Sequence, residues 1–343
     1  MTPSISLPRE KLEPLAKAAA ARSALIDLEH LSALRLFNGF YEGVPGLVAD
    51  LYGRTLVLYN HADDPKSLQP LVLAAQTWYC EKLPWLQAVV IKTRDAILRD
   101  ERNGRLVYGR QPDERIREHG VWYALDLRMN QDASFYLDTR NLRAWLRENM
   151  HERSLLNTFA YTGSLGAAAL AGGASEVLQT DRSRKFLGLA RRTYEMNGFP
   201  YRGEDFRIGD FHRQVGSLRR HWRLFDCVIL DPPFFSVTSA GRVDIAADFR
   251  RLVNKVRPLI AHEGWLVVVN NALYVSGEDF LAELNKLCQD KYLSLEAILP
   301  APSDVTGYAE TRVSAPPVNP APFNHPTKIA LLRASRKDQA PAS

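Results

Sequence analysis

Cysteine is scarce in this chain, which has only Cys80, Cys227 and Cys288 among its 343 residues. These cysteines are widely spaced and form no CxxC pair, which excludes a disulfide framework and a recognisable cysteine zinc site. No run approaches the roughly 18 apolar residues of a membrane span, and the first 31 residues lack the apolar core of a signal peptide. We therefore expect a cytoplasmic protein without metal or membrane association.

The chain also has only a small excess of positive over negative charge. Lys and Arg outnumber Asp and Glu by 44 to 39, for a net charge of +5 and a pI near 9.0. This balance permits a polyanionic partner without requiring one. The arginines cluster in residues 94–117, 182–192, 213–223 and 242–257. The sequence alone leaves open whether these clusters bind a polyanion or are ordinary solvated faces.

The hydrophobic pattern divides the chain into four parts. Residues 1–32 read as an N-terminal helical extension, with a helix from residue 9 to about 30, and 33–126 as a small α+β domain. Residues 127–335 alternate strands and helices, which predicts an α/β fold with a doubly wound, Rossmann-like sheet. Residues 336–343 are expected to be a disordered tail.

Ligands of such sheets bind outside the carboxyl ends of the strands, so the strand-ending residues are informative. The first strand of the large domain ends in the turn from Asn157 to Gly163, where small residues would let a ligand approach the backbone. The second strand ends in Asp181, 18 residues beyond Gly163, which suits the hydroxyls of a ribose. Alternatively, Asp181 is a helix N-cap before Arg182.

The third strand is followed by Asp210 and Phe211, a carboxylate and a ring that could bond and cover an adenine. Asp210 could equally be a plain turn residue. A nicotinamide dehydrogenase is disfavoured because Ala160 stands where the first glycine of GxGxxG would be.

The fourth strand, CVIL, leads into Asp231, Pro232, Pro233 and Phe234. The two prolines hold the chain extended, so the Asp231 side chain and nearby carbonyls can orient an amino group. Phe234 could stack on a flat ring. The competing interpretation of Asp231 is a solvated loop carboxylate, but four strand-end features in sequence favour a cofactor site.

From Leu34 to Asn271, these motifs resemble the class I S-adenosylmethionine (SAM)-dependent methyltransferases that modify large-subunit ribosomal RNA. The resemblance includes LLNTFAYTGSLG, LDPPFFS and the segment 134–140. It implies a class I methyltransferase sheet with SAM as cofactor and RNA as partner. It also implies that the cofactor-binding residues are Phe135, Asp138, Arg140, Asn157, Phe159, Tyr161, Gly163, Asp181, Arg182, Asp210 and Phe211.

Members of this group differ in the atom they methylate. Methylation at cytosine C5 needs a cysteine thiolate, whereas a base nitrogen can attack the methyl group directly. In the cytosine branch a Ser-Cys-Ser-like segment follows the strand that here ends in Asn270 and Asn271. The Asn pair resembles the guanine-N7 branch. We therefore expect nitrogen methylation, with Asp231 and Asn270 positioning the base. The amides could instead satisfy backbone groups at the strand end.

Three other functions remain open at this stage. The chain could be a cytosine-C5 enzyme, a methyltransferase for a small molecule or protein, or a non-catalytic RNA-binding protein. RNA docking is expected of residues 33–126 and not of the helical extension. His325 reads as a loop residue, not a catalyst, and the oligomeric state stays open, a homodimer included.

Overall fold

A computed structural model describes residues 9–238, 241–244, 248–315 and 319–336. The predicted disordered tail therefore lies outside the described residues, apart from Arg336, as do Pro316 and Pro317. The chain divides into two compact units, residues 1–137 with 302–316 and residues 138–301 with 317–343. Whether the ranges predicted from the sequence fold as independent domains stays a prediction. No described helix is long and apolar enough to cross a bilayer.

The first unit contains one larger sheet and one hairpin. Its elements are α1 (Glu13–Arg22), β1 (Ala33–Asn38), α2 (Gly39–Glu42), β2 (Leu47–Tyr52), β3 (Thr55–Asn60), α3 (Pro65–Lys82), β4 (Ala88–Thr93), α4 (Arg99–Asn103), β5 (Arg105–Gly109), β6 (Arg115–Glu118), β7 (Val121–Ala124) and a short helix, Ser303–Thr306. The five-stranded sheet runs β1-β2-β3-β4-β5, and β6 pairs with β7. Residues of α1 and α3 share one buried apolar core with the strands.

The second unit is built around a seven-stranded sheet. Its elements are α5 (Arg140–Asn149), β8 (Ser154–Thr158), α6 (Ser164–Ala171), β9 (Glu176–Asp181), α7 (Arg184–Asn197), β10 (Phe206–Ile208), α8 (Phe211–Arg220), β11 (Phe225–Leu230), β12 (Phe235–Thr238), β13 (Gly241–Asp244), α9 (Phe249–Val256), β14 (Ile260–Asn270), α10 (Gly277–Cys288), β15 (Leu293–Leu299) and β16 (Lys328–Ala334). The strand order is β10-β9-β8-β11-β14-β16-β15. Strands β8 to β11 and β14 are parallel, and β16 is antiparallel to both neighbours.

Alternate residues of the central strands enter two different cores. In β11, Val228 and Leu230 pack in a cluster with α8, α9 and α10, whereas Cys227 and Ile229 pack in another with α5 and α6. A strand turns successive side chains to opposite faces, so both faces of this sheet are covered by helices. The predicted doubly wound α/β sheet is confirmed.

One expectation about the N-terminal end of the chain is corrected. The helix predicted from residue 9 to about 30 ends at Arg22, followed by a 3-10 turn at Ser23–Leu25. Downstream, the Asp27 carboxylate accepts the N–H groups of Leu31 and Ser32 and folds the chain into a loop. Between β15 and β16, which pair antiparallel, the connecting chain contributes Ser303–Thr306 to the first unit.

A buried ion pair explains why that connection belongs to the first unit. Arg22 is fully buried and donates to both Glu42 oxygens at 3.0 and 3.1 Å and to the Asp304 carbonyl at 3.1 and 2.8 Å. The Thr311 hydroxyl donates to the same Glu42 carboxylate. Removing the guanidinium would leave a buried carboxylate without its counter-ion.

We therefore expect Arg22→Ala to lower the free energy of unfolding by about 3 to 5 kcal/mol. Urea denaturation followed by circular dichroism measures the change. Arg94→Ala, which breaks an exposed pair with Asp95, is the control and should cost less than about 1 kcal/mol. Equal midpoints for the two variants would contradict the structural role of Arg22.

Candidate active site

The carboxyl edge of the parallel sheet brings together the residues that end its strands. The Asn157–Gly163 segment leaves β8, Asp181 ends β9 and Asp210 follows β10. On the other side of β8, Asp231 follows β11 and Asn270 ends β14. These five strands are neighbours in the order β10-β9-β8-β11-β14. The residues that end them therefore lie side by side along one edge of the sheet, with the β8 loop in the middle.

The loop after β8 has an unusual backbone. Phe159 and Tyr161 have φ values of 58° and 51°, in the left-handed region that side chains disfavour. Such residues cost of order 1–3 kcal/mol each and cluster at ligand-binding loops. The Tyr161 N–H donates to Asp181 Oδ2 at 3.0 Å, which holds the loop against the next strand end.

Gly163 has a packing role that differs from the sequence interpretation. A Cβ at this position would lie 2.4 Å from the Ala190 Cβ and 2.7 Å from the Gln179 amide nitrogen. The glycine, with φ of 76°, is thus needed for α6 to approach α7 and β9. This packing is a structural reason for the glycine, and ligand access to the backbone stays a prediction.

Asp181 is held by backbone donors. Its Oδ1 accepts the Ser183 N–H at 2.7 Å and its Oδ2 accepts that of Tyr161. The N-cap of α7 is Ser183, which accepts from Phe186, so the alternative of Asp181 as that N-cap is wrong. Burial raises the pKa of Asp181, opposed by these hydrogen bonds. Its remaining lone pairs can accept hydroxyl groups.

Asn157 lies at the foot of the same loop. Its amide is buried, and its Nδ2 donates to Gln179 Oε1 at 3.1 Å. Gln179 in turn donates to the Tyr194 hydroxyl, which fixes the orientation of both amides. Within the described residues, the buried Asn157 Oδ1 has no hydrogen-bond partner. A buried acceptor in this state suits a ligand donor.

Asp210 and Phe211 are used partly by the protein itself. Asp210 is the N-cap of α8, and its Oδ1 accepts the His212 N–H at 2.8 Å. Phe211 is buried and stacks on Phe159 with ring centroids 4.7 Å apart. Asp210 thus has a structural role as a helix N-cap, in place of the plain turn residue considered from sequence. Contact of either residue with an adenine stays a prediction.

Asp231 shares its surroundings with a second carboxylate. Burial raises the pKa of Asp231 to about 7, and the nearby charge of Asp138 acts in the same direction. Asp138 Oδ2 accepts the Thr327 hydroxyl at 2.5 Å, while its Oδ1 is buried without a partner among the described residues. Asp231 is only partly exposed, so it is not a fully solvated loop carboxylate. Two half-buried acids at this edge favour a cationic ligand.

The residues before β16 belong to this edge, although no motif identified them. His325 Nδ1 accepts the Thr327 N–H at 3.1 Å and lies 3.8 Å from Asp138 Oδ2. Lys328 is buried and donates to the Pro326 and Ala272 carbonyls. Because β16 runs antiparallel to β14, its first residues meet the strand's carboxyl end. His325 is a loop residue, as expected, but one adjacent to the site.

The remaining catalytic candidates surround the turn after β11. Pro232 is buried, whereas Pro233 and Phe234 are exposed, Phe234 by 47% of its surface. The Arg182 guanidinium donates to the Ser236 hydroxyl at 2.9 Å, which links the β9 loop to the strand after the turn. The Phe234 ring is therefore accessible for stacking. The side chains of Phe235 and Arg242 lie outside the described residues.

Asn270 ends β14 with a buried side chain. Its Oδ1 accepts the Ala272 N–H at 3.0 Å. Asn270 thus satisfies a backbone group at the strand end, as the alternative interpretation from sequence proposed. The N–H groups of its side-chain amide are the donors that Asn270 could offer to a base.

The segment 134–140 divides between the units. Phe135 belongs to the first unit, where its ring packs 5.0 Å from that of Tyr123 and its carbonyl accepts the Tyr52 hydroxyl at 3.2 Å. Asp138 and Arg140 belong to the second unit, Arg140 as the first residue of α5. A cofactor role for these residues remains a prediction.

The sheet order and the acids along its carboxyl edge define a Rossmann-like α/β fold with a site for a nucleoside-containing cofactor. The chain belongs to the S-adenosylmethionine-dependent methyltransferase family, whose sequence model matches residues 98–302. The family's cofactor is SAM, as the sequence predicted. The crystal structure of SMU.776 complexed with S-adenosylhomocysteine has the same fold, with a TM-score of 0.81 at 20% identity over 96% of this chain and 83% of that one.

Curated relatives are more similar in sequence. The chain is 30% identical over 260 residues to "Ribosomal RNA large subunit methyltransferase I" of Aeromonas salmonicida, covering 75% of this chain and 65% of the relative. It is 28% identical over 265 residues to YwbD of Bacillus subtilis, covering 76% and 66%. The chain thus spans just under two thirds of the length of these relatives.

The residues present fit SAM. Asn157 Oδ1 and Asp138 Oδ1, buried acceptors that have no partner in the described part of the chain, suit a group with a cationic amine, and Asp181 suits two hydroxyls. Among the described residues no cluster of three His, Cys, Asp or Glu side chains is arranged to hold a metal.

We expect Asp181→Ala to weaken SAM binding roughly tenfold or more, because it removes a charged hydrogen-bond acceptor. Isothermal titration calorimetry measures the affinity. Asp205→Ala is the control, since Asp205 also accepts a backbone N–H, that of Arg202, in a loop before β10. Equal affinities for the two variants would remove Asp181 from the site.

Asp231 should also make stability depend on pH. Its folded pKa of about 7 lies above the ordinary 3.8, so between these values the folded state holds a proton that the unfolded chain has lost. Stability contributed by this group is therefore full at low pH and falls as the pH rises to about 7. Asp231→Asn removes the titrating group.

We accordingly expect Asp231→Asn to be more stable relative to wild type at about pH 8 than at about pH 4. Denaturation at a series of pH values measures the difference. Glu204→Gln, at an exposed side chain, is the control for the loss of one carboxylate. A flat difference for Asp231→Asn would mean that its carboxyl is not buried in the folded protein.

Proposed function

We propose that this chain transfers the methyl group of SAM to a base nitrogen, guanine-like, in large-subunit ribosomal RNA. The family membership supports SAM-dependent methyl transfer, and the name of the Aeromonas relative supports the RNA substrate. An rRNA substrate implies action in the cytoplasm, where ribosomes are assembled. The choice of nitrogen over carbon depends on the cysteines.

The positions of the cysteines carry this choice. Cys227 is fully buried inside β11, and burial raises the pKa of its thiol. Cys288 lies on α10 and Cys80 on α3, both partly buried with raised pKa values. Attack on cytosine C6 needs an accessible thiolate in the cleft. None of the three side chains meets that requirement, so direct attack by a nitrogen is favoured.

The residues after β11 and β14 would then hold the base. SAM, when bound, supplies an already activated methyl group, so the protein contributes chiefly position and orientation. The exposed Phe234 ring stacks on the base, and Pro232 and Pro233 keep the Asp231 turn rigid. Asp231 orients the acceptor group, and its pKa of about 7 also allows it to take up a proton at neutral pH.

Basic side chains on helix α9 support a polyanionic substrate. Arg250, Arg251 and Lys255 on α9 line a groove of about 700 Å³ together with Asp248 and Glu283. Arg250 pairs with Glu283 at 3.0 Å, which leaves Arg251 and Lys255 as the main positive groups of the groove. Groups of this kind bind phosphates through charge, without reading sequence.

Nucleoside mass spectrometry tests this proposal. We expect ribosomal RNA from cells lacking the protein to lose one methylated guanosine signal, restored by the wild-type chain but not by Asp231→Ala. Cys288→Ala should restore the signal fully, because no thiol takes part. Loss of 5-methylcytidine would contradict nitrogen methylation, and an unchanged set of RNA methyl marks would favour a small-molecule or protein substrate.

A further inference from the structure

The end of helix α8 carries exposed basic and aromatic side chains that the proposed active site does not use. Trp222 is 88% exposed, and Arg219, Arg220 and His221 beside it are exposed as well. The segment 211–225 contains no acidic residue. It contains two histidines and four arginines, namely His212, Arg213, Arg219, Arg220, His221 and Arg223.

The backbone at Trp222 is one that glycine normally occupies. The Trp222 N–H donates to the Arg219 carbonyl at 3.1 Å, and the Arg223 N–H donates to the Leu218 carbonyl at 3.1 Å. This pair of bonds is a Schellman motif, whose left-handed position Trp222 fills with φ of 53°. Glycine adopts that conformation without steric cost, whereas a tryptophan is strained there. The side chain is therefore both exposed and conformationally costly.

Contacts within the fold explain the positions of the arginines better than that of Trp222. Arg219 and Arg220 lie in the last turn of α8, where cations interact favourably with the helix dipole. Arg223 pairs with Glu176 at 2.5 Å and covers the Phe225 ring. The indole of Trp222, by contrast, offers its apolar surface to solvent. Its position is explained if the ring is used in contact with another molecule.

We propose that Arg219, Arg220 and Trp222 form a docking site for single-stranded RNA. Bases stack on exposed aromatic rings whatever their sequence, and arginines next to the ring neutralise phosphates. The segment 211–225 has no acidic residue of its own, and because Glu176 pairs with Arg223, the charge complementarity with a polyanion is assigned to Arg219 and Arg220. Only the choice of RNA over another polynucleotide rests on the proposed function.

This docking site is separate from the candidate active site. Helix α8 begins after Asp210 at the carboxyl edge of the sheet and ends before β11 at the opposite edge. Its 10 residues correspond to about 15 Å of helix. The site would therefore hold nucleotides that flank the modified base, and its loss should raise the KM for RNA while kcat is retained.

Trp222→Gly is the decisive variant because it removes the ring and relieves the backbone strain together. We expect the affinity for a short fluorescein-labelled oligouridine, measured by anisotropy without SAM, to fall at least about fivefold. The denaturation midpoint should stay the same or rise. Lys291→Gly is the matched control, since Lys291 is exposed with φ of 59°. It should gain stability equally and keep full RNA affinity.

Salt dependence tests the arginines. The double variant Arg219→Gln with Arg220→Gln should reduce the slope of log affinity against log salt by about 1.4, since each phosphate neutralised on a single strand contributes about 0.7. Unchanged affinity in Trp222→Gly, or an unchanged slope in the arginine variant, would overturn the docking site. Because oligouridine binding is measured without methyl transfer, these results are independent of the nucleoside measurement that tests the function.

Discussion

The parallel pairing of β8 with its two neighbours is the constraint on which the site depends. Thr158, the last residue of β8, is in register with Thr180 of β9 and Leu230 of β11. Asp181 and Asp231 each come one residue later, so they flank the loop that leaves β8. A slip of one residue in either pairing would turn the strand's side chains to the opposite face. The core alternation in β11 makes such a slip costly, and the apolar packing thereby fixes the acids.

The charges of this edge oppose the charge of the whole chain. Asp138, Asp181 and Asp231 collect here in a protein with a net charge of +5, and burial raises the pKa of both Asp181 and Asp231. Buried carboxylates of this kind reduce stability unless a cation neutralises them. A cationic cofactor would do so, whereas the arginines on the helices favour an anionic substrate. The acids that suit a cationic cofactor and the arginines that suit an anionic substrate thus lie on different elements of the fold.

The sequence predicted the parts of the fold and site that depend on local pattern. Asp181 ends one strand and Asp231 follows the strongly apolar strand CVIL, and the alternation of strands and helices implies that the two residues share one edge. His325 and Thr327 were not identified, because they reach the edge from an antiparallel strand whose approach has no motif. Placing β16 beside β14 would have revealed them, since its first residue must lie at the other strand's end.

Long-range contacts account for the remaining differences. The helix predicted up to about residue 30 ends at Arg22, whose buried pair with Glu42 also binds the Asp304 carbonyl, 282 residues away. No local pattern contains that information. Gly163 was identified from a motif, but the structure adds a reason that the motif does not contain, the approach of Ala190, which belongs to the next helix. A correct residue can thus be found from sequence for an incomplete physical reason.

Three aromatic residues show how a strained backbone can be interpreted. Phe159, Tyr161 and Trp222 all have φ values between 51° and 58°, where glycine would cost less. The Phe159 ring stacks on Phe211 and the Tyr161 ring packs edge-on against Phe186, so contacts within the fold offset their strain. Trp222 is 88% exposed, so packing within the fold offsets little of its backbone strain. The RNA contact proposed for Trp222 would offset that cost from outside the chain.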